Sequence, residues 1–110
     1  MENDVQTTRG YLEGIYHNSS MVNGKASWIS YSNAIWYYQE YNYWMIGYLD
    51  DIGTSYRGID GGDGNQCPFD VPSENWYYYN PEHGWMRAGL NEINLYCMNG
   101  RTILFTITLA

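Results

Sequence analysis

The chain has 110 residues, enough for one hydrophobic core and too few for two, and 45% hydrophobic against 15% charged residues exclude a disordered polymer. A formal net charge of −7 with only five basic residues leaves no cationic stripe for nucleic acid and repels anionic lipid surfaces, while no apolar run reaches the roughly 20 residues of a membrane-spanning helix. Cations, neutral sugars and basic proteins stay open as partners.

Residues 1–10 read as an N-terminal extension. They begin Met1-Glu2-Asn3-Asp4, acidic and polar where a secretory signal is basic and then apolar, so a secreted form of this chain has lost its signal and starts at an expression methionine. From residue 11 short aromatic and β-branched clusters alternate with Gly, Asn and Pro, which is the pattern of strands and turns. Residues 11–16 and 25–31 flank Asn23-Gly24, a pair that readily takes the positive φ values of a type I′ hairpin turn. Residues 34–38 and 43–48, separated by Gln39-Glu40, predict a second hairpin. Residues 50–65, rich in Gly and Asp, predict a long loop. Residues 75–79 and 85–88 predict a third hairpin across Asn80-Pro81-Glu82-His83-Gly84, and residues 93–97 and 102–108 flank a second Asn-Gly pair, Asn99-Gly100.

No sustained 3.6-residue apolar period occurs, so little or no helix is expected and the fold class is all-β: antiparallel hairpins in a small meander, sandwich or barrel. Trp36-Tyr37-Tyr38 before Trp44-Met45 is echoed 40 residues later by Trp76-Tyr77-Tyr78 before Trp85-Met86. A duplicated hairpin unit accounts for the echo, as does the general preference of Trp and Tyr for strands.

Cys67 and Cys97 are an even pair in a tyrosine-rich chain with one lysine, Lys25, which fits an oxidising compartment and a disulfide between them; two free thiols in a cytosolic protein are the alternative. The sequon Asn18-Ser19-Ser20 is compatible with secretion.

The succession Gly14-Ile15-Tyr16, Val22-Asn23-Gly24-Lys25, Trp28-Ile29, Ile35-Trp36-Tyr37, Trp44-Met45-Ile46-Gly47, Gly58-Ile59, Cys67-Pro68, Trp76-Tyr77-Tyr78, Trp85 and Cys97 resembles a family of small modules found in predicted extracellular proteins of invertebrates and some protists. The resemblance spans residues 11–97. It departs from the family at Ala26, where proline is usual, and leaves residues 98–110 outside as a C-terminal hairpin strand or tail. It implies the fold and an extracellular location, and no activity is established for the family.

Chemistry is sparse along the chain. His17 and His83 lie far apart without metal-ligand spacing, and His83 sits in a turn as a solvated residue. Asp60 and Asp63 are weak calcium candidates: their glycine-rich setting suits a hard cation, yet they lack EF-hand spacing and a following bidentate glutamate. No serine stands in a nucleophile-elbow context, and twelve acidic residues make a close carboxylate pair inevitable and therefore uninformative, so no enzyme activity and no cofactor is expected.

The aromatic surplus carries the functional reading. Thirteen tyrosines and five tryptophans are too many to bury with every polar tip satisfied, and Tyr, Trp, Ser, Gly and Asn together are the mixture of recognition surfaces. A non-catalytic recognition module is expected, lectin-like with carbohydrate as the leading ligand; an extracellular protein is the alternative partner, and self-association is compatible with the same surface. Strand alternation places Trp36 and Trp76 in the core and Tyr37, Tyr77 and Tyr79 outside, with Tyr41 and Tyr43 completing a candidate binding platform.

Overall fold

Among the described residues the aromatic and β-branched clusters form nine antiparallel strands: β1 (Gly14–Asn18), β2 (Trp28–Ser30), β3 (Asn33–Tyr38), β4 (Tyr43–Tyr48), β5 (Ile59–Gly61), β6 (Trp76–Asn80), β7 (Gly84–Arg87), β8 (Ile93–Cys97) and β9 (Thr102–Ile107). A short helix, α1 (Asp4–Arg9), precedes them. The structure is a computed structural model that describes residues 4–99 and 101–108. Met1, Glu2 and Asn3, Gly100 of the Asn99-Gly100 pair, and Leu109 and Ala110 at the end of the C-terminal run lie outside the described residues.

The strands make a single sheet in the order β7-β6-β5-β4-β3-β2-β1-β9-β8. β1 to β7 run as a meander, and the chain then passes from β7 at one edge to β8 at the other through residues 88–92. Six peptide steps from Arg87 to Ile93 reach about 21 Å at most, whereas nine flat strands would set the edges roughly 38 Å apart. The link therefore requires a sheet curled into a half-barrel whose edges approach each other. The seam is filled from the loop before β6. Ser73 Oγ donates to Gly89 O at 2.7 Å and accepts from Ile93 N at 2.8 Å, tying both ends of the link, and the 3-10 turn Pro68–Asp70 packs against β8.

The concave side holds the main core, with Tyr16, Trp28, Ile35, Trp44, Ile59, Trp76, Tyr78, Ile93 and Phe105 among its buried side chains. α1 packs on β6 and buries Val5 in this core, so residues set down as an extension contribute to it. Residues 98–110 likewise include β9, which lies between β1 and β8 with Ile103, Phe105 and Ile107 buried. A smaller cluster of Ala34, Trp36 and Met45 lies on the convex side, roofed by Val22, Leu49 and Ile52 and flanked by Ile29 of β2.

Asn23 and Gly24 have φ of 53° and 87°, the left-handed pair of the expected turn. This turn lies in the loop of residues 19–27, which runs beside the end of β3: Asn23 Nδ2 donates to Tyr37 O at 2.8 Å, and Lys25 Nζ sits 5.0 Å from the Tyr37 ring centre.

Several sequence expectations are corrected. Residues 50–65 are not one loop, because they contain β5, a buried central strand between β4 and β6. With three residues, one an aspartate and one a glycine, β5 has too little pattern to be recognised. Its glycine is required, since a Cβ on Gly61 (φ 153°) would lie 2.2 Å from Asn75 O. The Cys67–Cys97 disulfide does not form: both thiols are free and exposed. Cys97 ends an edge strand, Cys67 precedes the Pro68–Asp70 turn, and the closure expected of a disulfide is supplied by strand pairing and by Ser73. Tyr37 is also corrected; it points into the core at 9% exposure, because β3 turns Ile35 and Tyr37 to the concave side and Trp36 to the convex one.

Candidate functional site

The convex side of β4 to β7 carries the site. Strand register sets Trp36, Met45, Asp60, Tyr77 and Arg87 side by side across β3, β4, β5, β6 and β7. Side chains two residues along a strand share its face, so Tyr38 with Tyr43, and Tyr79 with Trp85, form neighbouring rows on the same side. The loops roof Trp36 and Met45 and leave the β5–β7 half open.

At its centre lies an ion pair. Arg57, two residues before β5, donates from Nε at 2.9 Å and from Nη2 at 2.6 Å to Asp60 Oδ2, and from Nη1 to Ser55 O at 2.8 Å. Asp60 is buried, and burial pushes its carboxyl above the usual aspartate range, with the Arg57 guanidinium pulling the other way. Both donations fall on Oδ2, so Oδ1 takes no part in the pair.

Around the pair, rings and guanidinium groups alternate in one connected array. Arg57 Cζ lies 4.4 Å from the Trp85 ring centre and 5.7 Å from that of Tyr41. Trp85 meets Tyr79 edge to face at 5.5 Å. Beyond Tyr79, Arg9 Cζ lies 6.0 Å from the Tyr79 ring and 5.9 Å from that of Tyr11, which stacks on Tyr48 at 5.3 Å. At the other end Tyr41 contacts Tyr38 at 5.0 Å and Tyr43 at 6.2 Å. Cation–π contacts and edge-to-face pairs of this kind contribute roughly 0.5–1.5 kcal/mol each. Their structural effect is to hold exposed rings in fixed orientations. Tyr11, Tyr41, Tyr43, Tyr48, Tyr79 and Trp85 are all between 38% and 50% exposed, anchored on one side and open on the other, and Tyr77 stands beside them at 40%.

Two depressions flank the pair. One, of about 270 Å³, lies between Tyr43 and Tyr77, with Asp63, Gln66 and Asn75 in its walls. The other, of about 200 Å³, lies between Arg9 and Arg57, with Tyr11, Tyr48 and Asp51 beside them.

Of the residues singled out from the sequence, Tyr41, Tyr43, Tyr77 and Tyr79 stand exposed on this face, while Tyr37 is inside with its hydroxyl bonded to Asn42 Oδ1 at 2.8 Å. The two calcium candidates are engaged elsewhere: Asp60 holds Arg57, and Asp63 Oδ1 accepts from Asn42 Nδ2 and Asn65 N. Among the described residues no group of three or more His, Cys, Asp or Glu is placed to hold a metal ion. His17 is exposed on β1, and His83 is exposed in the β6–β7 turn, 3.9 Å from Glu82.

Sequence reasoning missed Arg9, Tyr11, Tyr48, Arg57 and Trp85. Trp85 was within reach, since the turn at residues 81–83 pairs it with Tyr79 and puts both on one face. Arg57 and Asp60 gave only an i, i+3 spacing inside an apparent loop, and Arg9 is brought to the face from α1 by tertiary packing.

No model of a known protein family, no curated protein and no solved structure matches this chain.

Proposed function

We propose that this protein is a non-catalytic, extracellular recognition module that binds carbohydrate on the convex side of β4 to β7. The observation that carries the reading is the array of half-exposed rings held around the Arg57–Asp60 pair. Sugar rings present apolar C–H faces that stack on Trp85, Tyr77 and Tyr43, while their hydroxyls need the polar groups that Asp63, Gln66 and Asn75 offer alongside. Rings fixed before the ligand arrives lose little conformational freedom on binding. The extracellular assignment draws on the tyrosine-rich, lysine-poor composition and on the modular resemblance, and no longer on a disulfide.

A second reading, a protein-interaction module of an extracellular assembly, is favoured by a different surface. Ile15, Ile29 and Tyr31 line a mainly apolar depression of about 650 Å³ on β1 and β2, and Tyr31 is 98% exposed. A glycan array followed by titration of the strongest hit separates the two. Saturable binding that Trp85→Ala and Tyr77→Ala each weaken at least about tenfold supports the first. Silence on the array, with concentration-dependent association in sedimentation that Tyr31→Ala abolishes, supports the second.

A further inference from the structure

We propose that the cleft between Arg9 and Arg57 is an anion subsite, and that the carbohydrate this module takes is therefore acidic, carrying a carboxylate or sulfate. The inference rests on the recognition reading above and narrows its ligand class. In a chain of net charge −7 with five basic residues, two of the five line this one cleft, and a third, Arg87, stands beside Tyr77 on the same face.

The two arginines differ in what they have left to give. Asp60 neutralises Arg57. Arg9 forms no ion pair among the described residues; its Nε donates to Tyr79 O at 3.0 Å and its Nη1 to the Tyr11 hydroxyl at 2.9 Å. A guanidinium has five N–H donors, so Arg9 keeps three of them and its full charge, and Arg57 keeps two. These are directional donors in a fork suited to the paired oxygens of a carboxylate or sulfate.

The cleft is shaped by its floor. A Cβ on Gly58 would lie 3.0 Å from Arg9 Cδ, so this glycine lets the Arg9 side chain lie against the sheet, and a Cβ on Gly47 would lie 3.1 Å from Arg57 Cα, so that glycine lets the backbone carrying Arg57 come close. Its volume of about 200 Å³ is below the ~300 Å³ at which drug-sized pockets begin, which suits one charged substituent of a sugar seated on the adjoining rings. Asp51 also lines the cleft without pairing with either arginine among the described residues, and it opposes an anion there.

The test uses an array of matched neutral, carboxylated and sulfated oligosaccharides on shared backbones, followed by titration of the best matched set. Binding of an acidic member at least about tenfold tighter than its neutral counterpart is expected, and the carboxylated and sulfated arms identify which anion is taken. Arg9→Gln should bring the ratio of acidic to neutral affinity down to about one, since any loosening of the Tyr79 and Tyr11 rings weakens both members alike, Arg9→Lys should restore part of that ratio, and Arg101→Gln, on the β8–β9 turn, should change neither affinity. Asp51→Asn should raise acidic affinity roughly two- to fivefold without affecting the neutral member, a gain that loss of folding cannot imitate. Equal binding of neutral and acidic members, at a ratio that neither Arg9→Gln nor Asp51→Asn moves, overturns the anion subsite and leaves the recognition reading standing. Acidic binding weakened alike by Arg9→Gln and Arg101→Gln shows general polyanion attraction and also overturns it. Silence across the array overturns both.

Discussion

A Trp-Tyr-Tyr tripeptide ends β3 at residues 36–38 and begins β6 at residues 76–78, and the two hairpins turn it opposite ways. Trp36 faces the convex side and Tyr37 the core, whereas Trp76 faces the core and Tyr77 the convex side. The difference lies in what covers each hairpin. β3 is buried on both faces, so either side can accept a tryptophan, and the loop of residues 49–55 supplies Thr54 O to accept from Trp36 Nε1 at 3.0 Å. β6 has one open face and alternates strictly between buried and exposed residues. A repeated tripeptide therefore carries no fixed orientation; the roof over one copy reverses the role of each residue. If the two hairpins descend from one unit, their site-forming residues are not interchangeable.

The comparison is most easily broken at the middle residues. Tyr37→Ala should cost about 3–5 kcal/mol, as large aromatic truncations in a core do, and Tyr77→Ala under about 1 kcal/mol, as at partly exposed positions. Urea unfolding midpoints at constant m-value decide this, and equal losses would refute the opposed orientations. The strand between the hairpins comes next. Gly61→Ala drives a methyl group into Asn75 O and should cost at least ~2 kcal/mol, seen in the same titration as a lowered midpoint; a neutral result means that β5 does not press against the turn before β6.

A smaller effect distinguishes the tryptophans themselves. Trp76 Nε1 is buried without a hydrogen-bond partner among the described residues, so Trp76→Phe sacrifices packing alone, while Trp36→Phe also strands the Thr54 carbonyl. Trp36→Phe should be the costlier by about 1 kcal/mol; calorimetric melts of the two variants give the difference. The smallest effect is read as a sign. The Asp60 carboxyl is raised above its ordinary value of 3.8 by burial, so it binds a proton more readily in the folded state than in the unfolded one. Its contribution to stability is fully present below 3.8 and is lost as pH rises through the folded value. Wild type should therefore gain stability relative to Asp60→Asn as pH falls toward 3.8, and a relative loss would show that Arg57 outweighs burial.

How legible each region was follows from the same physics. The β6–β7 hairpin could be read because its open face imposes alternation, and Asn23-Gly24 because only certain residues tolerate its dihedral angles. Tyr37 was misplaced because a strand covered on both sides shows a continuous buried run, within which alternation has no preferred phase. β5 was hidden by its brevity. Four of the five proposed tyrosines reach the face, but the groups that hold Tyr79 and Tyr41 in position, Arg9 and Arg57, come from a helix and a loop whose approach depends on the whole curl of the sheet.

The placement of β9 between β1 and β8 bears on how the chain is made. β1 is made before every other strand of the sheet, yet one of its edges finds its partner only when residues 102–107 have appeared. Until then the nascent protein carries an unpaired strand edge beside an unfinished core, the kind of template on which neighbouring chains associate. Pairing of β9 with β1 is a long-range event, which favours slow folding.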